Sequence, residues 1–383
     1  MKIMLSVGEA SGDLHGASVA NALKLLQPDI ELFGMGGQAM QAAGVNVMYD
    51  IAGLGVIGFV EVIKNLGKLF ELRDNLATLM DQEQPDALVI IDYPDFNMRL
   101  AKIAKAKGIP VVSYISPSAW AWRRGRAKDV AGIVNKVAAI FPFEAEVYRE
   151  AGADVTFVGH PLVDIVQPVL TKEEAYRYFA ASSDCPLVLL MPGSRQQEIS
   201  ELLPVMLAAC ELIVEKLPDC QFYLPVASTI SREMLQNIID SYKVNITLTS
   251  EYPYDLMGLA NAAIAASGTA TLETSLMGAP TVIIYRLAAL TYFFGKFLVK
   301  IPNIGLPNIV AGRRIVPELL QDAVNPGAIA AETIRLIADT AVRQQVLSDL
   351  AEVKVKLGET GAVKRVAEVI LEVASLSNRE VIK

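Results

Sequence analysis

Four consecutive residues, Pro192-Gly193-Ser194-Arg195, lie between an apolar run (187–191) and a helical segment and have the makings of a phosphate cradle. A strand that empties into a small-residue turn and then a helix leaves backbone N–H groups unpaired at the positive end of the helix dipole. Arg195 adds a permanent cation whose forked donors match phosphate oxygens. A second strand-to-helix turn of this kind, Val7-Gly8-Glu9-Ala10-Ser11-Gly12-Asp13, opens the chain. A third group, Ser267-Gly268-Thr269-Ala270-Thr271-Leu272-Glu273, follows the strand-like run 262–265. Its hydroxyls and N–H groups suit an anion, and Glu273, one turn beyond Thr269 on the same face, suits ribose hydroxyls. The plainer reading is a helix cap, with Ser267 or Thr269 capping and Glu273 merely solvated. The Arg195 turn in the same half tips the balance toward a nucleotide.

Acid–base chemistry has its candidates in the first half. Ile91-Asp92-Tyr93-Pro94-Asp95-Phe96-Asn97 ends a buried run (87–91), at the edge where parallel sheets bind ligands. Asp92 reads as an Asx turn before Pro94. Asp95 is either the N-cap of a helix starting near Phe96 or a general base. The only histidines are His15, placed to contact substrate, and His160, which suits an ordered interdomain turn in Gly159-His160-Pro161. The segment 114–128 holds both tryptophans, including Trp122, and four cations, among them Arg123, without an acid. Cations at a helix start oppose the dipole and favour an anionic partner such as an acceptor phosphate or lipid headgroup. Gly53-Leu54-Gly55-Val56-Ile57-Gly58 matches GxGxxG but follows the third strand, after a gap, and is read as a decoy.

The elements that must position these groups alternate along the chain. Strand-like runs at 2–7, 31–34, 45–49, 87–91, 110–115, 137–141 and 155–158 are separated by helical patterns, and the alternation restarts at 187–191, 221–225, 246–249, 262–265 and 281–285. That is the signature of βα units and parallel sheets. At 383 residues the chain suits two α/β domains with a cleft between them. The division expected is 1–168 for an acceptor- and membrane-facing domain, joined by a terminal helix within 350–383, and 169–349 for a nucleotide-sugar domain.

A net charge of −8 argues against a nucleic-acid partner. Three cysteines without CxxC spacing give neither a disulfide framework nor a zinc site, and fit a reducing compartment. Hydrophobic residues reach 52%, yet no apolar run attains the roughly 18 residues that span a bilayer. Part of this excess lies in one helical stripe of Phe59, Val62, Ile63, Leu66, Leu69, Phe70, Leu76 and Met80, with Leu72 and Leu79 outside it and cations nearby. Core packing is the default for such a stripe; the extra leucines and cations allow interfacial docking through Val62, Ile63, Leu66, Leu69, Phe70 and Leu72. A second such candidate spans 287–304.

Together these motifs, with Ser116-Pro117-Ser118-Ala119-Trp120-Ala121-Trp122-Arg123, Phe157-Val158-Gly159-His160-Pro161 and Leu306-Pro307-Asn308, resemble the lipid-A-disaccharide synthase family in order and over almost the whole chain. Tyr93 stands where a small residue is common and Met191 where leucine is usual, positions read as outside the chemistry. The resemblance implies an α/β protein of GT-B fold, two Rossmann-like parallel-sheet domains facing a central cleft. It implies inverting, metal-independent transfer from UDP-2,3-diacylglucosamine to 2,3-diacylglucosamine 1-phosphate, with UDP as part of the donor and no cofactor. By analogy Asp95 is the base, and Ser194, Arg195, Ser267, Gly268, Thr269, Ala270, Glu273 and Asn308 hold UDP. Glu9, Ser11, Gly12, Asp13, His15, Trp122 and Arg123 line the acceptor side. A cytoplasmic protein in peripheral contact with the inner membrane follows, with a homodimer allowed. The alternative is a UDP-N-acetylglucosamine epimerase or hydrolase of the same fold; a nicotinamide oxidoreductase rests on Gly53 to Gly58 alone.

Overall fold

The computed structural model describes residues 1–52, 59–117, 124–227, 229–286 and 303–380; the side chains of 59–66, 124 and 377–380 fall outside that description. The GxGxxG match and the apolar segment from 287 to 302 therefore lie outside the described residues. The chain divides into two compact units, Met1–Pro161 with Gly358–Lys383, and Leu162–Leu357.

In the first unit, strands β1 (Lys2–Ser6), β2 (Glu31–Gly36), β3 (Asn46–Asp50), β4 (Ala87–Ile91), β5 (Val111–Tyr114), β6 (Lys136–Ala139) and β7 (Val155–Phe157) form one sheet. Its order is β3-β2-β1-β4-β5-β6-β7, with every pairing parallel. The sequence dictates this: all of β4 and the interior of β1 are apolar and buried, which suits a sheet covered on both faces. The covering helices are α1 (Ala10–Leu26), α2 (Gln38–Ala42), α3 (Phe59–Glu83), α4 (Pro94–Ala106), α5 (Arg124–Ala131) and α6 (Pro142–Glu150).

The second unit repeats the plan. It begins with α7 (Leu162–Ile165) and α8 (Lys172–Tyr178) and continues with β8 (Leu187–Met191), α9 (Gln196–Lys216), β9 (Gln221–Pro225), α10 (Arg232–Ile239), β10 (Ile246–Thr249) and α11 (Pro253–Leu259). Then come β11 (Ala262–Ala266), α12 (Thr269–Leu276), β12 (Thr281–Tyr285), α13 (Leu306–Ala311), β13 (Glu318–Leu320), α14 (Pro326–Ala338) and α15 (Thr340–Lys356). Its parallel sheet runs β10-β9-β8-β11-β12-β13. In both sheets the order reverses beside the first strand, between β1 and β4 and between β8 and β11. Such switch points open a crevice at the carboxyl ends of the strands, where ligands bind.

The division lies at 161/162 and 357/358, a few residues from the boundaries expected at 168/169 and 349/350. Asp255 in α11, buried, accepts the N–H groups of Val169 (2.8 Å) and Leu170 (2.6 Å), tying that stretch to the second unit. Helix α15 packs on α12, α13 and α14, which holds the following residues there as well. The last helix, α16 (Ala362–Glu380), packs on α1 and on β4 to β6 of the first unit. Arg365 Nε donates to the Val158 carbonyl at 2.7 Å, and Lys136 pairs with Glu372 at 3.0 Å.

One buried acid marks the first unit. Glu144, third residue of α6, turns back to accept the Ile140 N–H at 3.3 Å, and burial pushes its carboxyl up to about 8. The unfolded chain, with an ordinary glutamic acid near 4.5, binds this proton less tightly. Stability from this group therefore falls as pH rises from about 4.5 to about 8. Urea titrations at both ends of that window should show the fall in the natural protein and its absence in Glu144→Gln; equal pH slopes would contradict it.

Candidate active site

At the end of β8 the backbone must reverse direction to enter α9, and Gly193 does so at φ +116°, a conformation that glycine adopts without strain. Arg195 is the N-cap residue of α9, so the first N–H groups of a 21-residue helix open onto this turn. The chain's own carboxylate already sits there. Glu198 Oε2 accepts the Ser194 N–H at 3.3 Å, and its Oε1 accepts from Arg195 Nη1 at 3.3 Å. A Cβ built on Gly193 would come within 2.3 Å of Glu198 Oε2, which shows how closely the acid covers the turn. The Arg195 side chain is 82% exposed, so this pair is worth only a fraction of a kcal/mol to about 1 kcal/mol and gives way to a stronger anion. Thr229, a residue the sequence reading passed over, donates its hydroxyl to the Ser194 carbonyl at 2.8 Å and fastens the cradle to the loop after β9.

Strand β11 lies parallel beside β8, which brings the turn into α12 to the same edge. Neither hydroxyl of the capping alternative caps: the N-cap is Gly268, with no side-chain cap bond, and Ser267 Oγ donates to the Ile304 carbonyl at 3.2 Å. Gly268 and Thr269 are exposed, while Ala270 and Glu273 are half-buried. Burial raises the Glu273 carboxyl, and it in turn helps raise Tyr254. Among the described residues no hydrogen bond engages that carboxyl, so both oxygens are open to hydroxyl donors. Asn308 differs. Its Nδ2 donates to Val316 O (2.9 Å) and Glu318 Oε1 (2.7 Å), and its Oδ1 accepts from Ile315 N (2.7 Å) and Val316 N (3.0 Å). The side chain is saturated within the protein, and it shapes the site rather than offering it free hydrogen bonds. Glu318, buried on β13, also takes the N–H of Gly305 at 2.9 Å and so anchors the start of α13.

The first unit presents its acids at the matching switch point. Glu9 is the N-cap residue of α1 without a side-chain cap bond, and Glu9 and Ser11 are exposed. Gly12 is buried, and a Cβ there would press on Val7 at 3.3 Å, so α1 approaches the sheet closely. Asp13 points elsewhere: its carboxylate accepts Gly37 N (2.7 Å), Ala39 N (2.9 Å) and Met40 N (3.2 Å), capping α2 from a distance. His15 meets the Tyr114 ring edge-on at 6.2 Å; burial lowers its pKa while Asp92 works the other way. His160 lies tilted against Phe141, ring centroids 4.7 Å apart, and burial holds it down to about 3. Burial favours the neutral form of both imidazoles.

Helix α4 starts at Pro94, with Tyr93 as N-cap in the left-handed region. Asp95 therefore lies inside the first turn and is not the cap. Its side chain is 83% exposed, and Arg126 Nη2 from α5 reaches its Oδ1 at 2.7 Å. Oδ2 has no partner among the described residues and is the oxygen available to take a proton. The turn is held by Asn97, fully buried, which accepts from Ser6 Oγ at 2.7 Å and donates to Ser6 O (3.1 Å) and Asp92 O (2.8 Å). Those bonds lace the ends of β1 and β4 together. Tyr93 also belongs to the site: a Cβ on Gly8 would strike its ring at 2.1 Å, and burial, then Glu9 and Asp95, raise its phenol.

A pocket of about 310 Å³ lies beside Asp95, bordered by Glu9 and Tyr93 and walled by Leu69, Phe70 and Phe96. Helix α3 thus splits along its length. Leu76, Leu79 and Met80 are buried, which moves Leu79 into the core stripe, whereas Leu69 and Leu72 are half-buried and Phe70 is 41% exposed. The side chains of Val62, Ile63 and Leu66, and residues Trp122 and Arg123, lie outside the described residues. Among the described residues no helix is long and apolar enough to cross a membrane.

Comparison with known proteins agrees with this arrangement. The profile of the family described as lipid-A-disaccharide synthetase matches residues 3–372. A lipid-A-disaccharide synthase of Syntrophus aciditrophicus is 42% identical over 377 residues, 98% of each chain. One from Geobacter sulfurreducens is 43% identical over 371 residues, 97% of each. Among solved structures, the UDP-GlcNAc 2-epimerase of Neisseria meningitidis, bound to UDP-GlcNAc, superposes with a TM-score of 0.65 at 13% identity, over 97% of this chain and 100% of that one. The MurG protein of Acinetobacter baumannii gives 0.58 at 17% identity, over 97% and 99%. At those identities the likeness extends to the fold alone, that of the GT-B glycosyltransferases and the epimerases, and does not favour the epimerase alternative. Two doubly wound units, each with its motifs at the switch point, and relatives of this identity over the full length together place the chain in the lipid-A-disaccharide synthase family of glycosyltransferases.

Proposed function

We propose that the chain transfers 2,3-diacylglucosamine from UDP-2,3-diacylglucosamine to the 6-hydroxyl of 2,3-diacylglucosamine 1-phosphate, with inversion. One observation carries the mechanism: an exposed carboxylate with one oxygen unpartnered among the described residues stands at one switch point, and a glycine cradle with an exposed guanidinium stands at the other. In this reading the diphosphate of the donor displaces Glu198 and lies on the N–H groups of Ser194 and the first turn of α9, with Arg195 across its oxygens. Ser267 to Ala270 supply a second helix N-terminus, and Glu273 accepts from the ribose. Asn308 acts by shaping the loop before β13.

Asp95 Oδ2 takes the proton of the acceptor hydroxyl as that oxygen attacks the anomeric carbon, and the bond from carbon to the diphosphate oxygen breaks. The electron pair leaves with UDP, where Arg195 and the helix ends meet the developing charge. His15 and Glu9 border the acceptor side. UDP release in detergent micelles tests the reading: it should require the phosphorylated monosaccharide lipid, whereas equal release without acceptor would indicate a hydrolase or epimerase.

Each buried acyl CH₂ is worth about 0.8 kcal/mol, so both substrates reside in a bilayer and the enzyme must visit its surface. Leu69, Phe70 and Leu72 are the docking surface in this reading, with the protein working at the cytoplasmic face of the inner membrane. Replacing Leu69, Phe70 and Leu72 together with serine should release the protein from anionic lipid vesicles with little change in its melting curve. Undiminished flotation with vesicles would return this stretch of α3 to a purely structural role.

A further inference from the structure

The pocket beside Asp95 is not uniformly apolar, because two guanidiniums lie over one of its walls. Arg73 from α3 has its central carbon 5.1 Å from the centroid of the Phe70 ring, and Arg99 from α4 lies 5.9 Å from it. Their circumstances differ. Arg73 gives its Nε and Nη2 to Asp74 Oδ1 at 2.9 and 2.6 Å, so its charge is locally met. Arg99, exposed, has no carboxylate partner among the described residues: Asp95, one turn earlier on the same face of α4, is engaged by Arg126 instead. Arg99 also borders a second pocket of about 180 Å³, likewise lined by Asp95, together with Lys102 and Arg126. It is the cation common to both spaces that flank the base.

We propose that Arg99 is the specificity-determining residue that reads the phosphate monoester of the acceptor, an assignment that rests on the function proposed above. Four residues along a helix advance about 6 Å, on the order of the width of a pyranose ring. A sugar with its 6-hydroxyl on Asp95 Oδ2 thereby carries its anomeric phosphate to Arg99, while an acyl chain lies along Leu69, Phe70 and Phe96. The planar guanidinium offers paired N–H donors to phosphate oxygens, and its approach to the Phe70 ring keeps the cation beside the pocket. The occupant fits by charge as well as by shape: a dianionic phosphate meets a cation with no carboxylate partner among the described residues, and its hydroxyl end meets Asp95 Oδ2.

The test compares diacylglucosamine 1-phosphate with phosphate-free diacylglucosamine, each measured by competition in mixed micelles, with natural protein, Arg99→Ala and Arg99→Lys. Natural protein should prefer the phosphorylated lipid by about 10- to 100-fold, the size of a charge-assisted pair of hydrogen bonds. In Arg99→Ala the preference should shrink to within roughly threefold, with the KM for the UDP-sugar unchanged. In Arg99→Lys an intermediate preference should remain, because the charge is kept and the fork is lost. A preference equally strong in Arg99→Ala, or absent from the natural protein, overturns the assignment to Arg99 and leaves the base and the cradle standing. Failure of the natural protein to transfer sugar to the phosphorylated lipid at all would instead overturn the function on which this assignment rests.

Discussion

Asp95→Asn should lower turnover by about 10²- to 10⁴-fold while leaving UDP affinity within a factor of about two. The amide keeps the size and the hydrogen bond geometry of the carboxylate but has no basic oxygen to take a proton. A structural explanation of such a loss is weak, because the side chain is 83% exposed and its ion pair to Arg126 lies at the surface. Exposed pairs of this kind contribute at most about 1 kcal/mol to stability. Steady-state kinetics with both lipid substrates, paired with calorimetric titration of UDP, separates the two quantities. Retention of most of the activity would remove Asp95 from the role of base.

Arg195→Ala should act on both binding and chemistry. Hydrogen bonds to a charged group contribute about 1.5–3 kcal/mol, so UDP affinity should fall roughly ten- to hundredfold. Because charge grows on the diphosphate as the glycosidic bond breaks, kcat should fall as well, by about 10²- to 10³-fold, as when one donor is removed from a preorganised anion site. The side chain is 82% exposed and, among the described residues, its one hydrogen-bond partner is Glu198, so the fold should be unaffected. An unchanged UDP affinity would place the diphosphate elsewhere.

Much of this architecture is legible in the sequence because its signals are local. The runs that become β1 and β4 are continuous and apolar, and the cradle of Pro192 to Arg195 announces itself by a glycine, a hydroxyl and a cation between a strand and a helix. β13 escapes because it is three residues long and carries an acid, Glu318, whose burial is explained only by the partners that meet it in space. Long-range bonds hide in the same way. Asn97 reads as part of a motif, but its bond to Ser6 spans 91 positions. Asp13 reads as an acid lining a cleft, while the structure spends its oxygens on the N–H groups of Gly37, Ala39 and Met40.

The helix start near Asp95 illustrates a finer limit. Phe96 begins the apolar pattern, yet Pro94 takes the first helical position because it needs no N–H partner there, and this moves Asp95 from the cap into the first turn. Tyr93 is misplaced by analogy rather than by pattern. A residue of unusual size at its position reads as neutral, but the absence of a side chain at Gly8 lets the ring lie against the backbone at the pocket's edge.

In the proposed mechanism the second unit grips a diphosphate at the turn that Glu198 covers. A crystal structure of the protein soaked with UDP tests this most directly. Diphosphate oxygens should lie within hydrogen-bonding distance of Ser194 N and the Arg195 guanidinium, with the ribose against Glu273 and the Glu198 carboxylate swung out of the turn. UDP bound away from Arg195, with Glu198 still closed over Ser194, would contradict it.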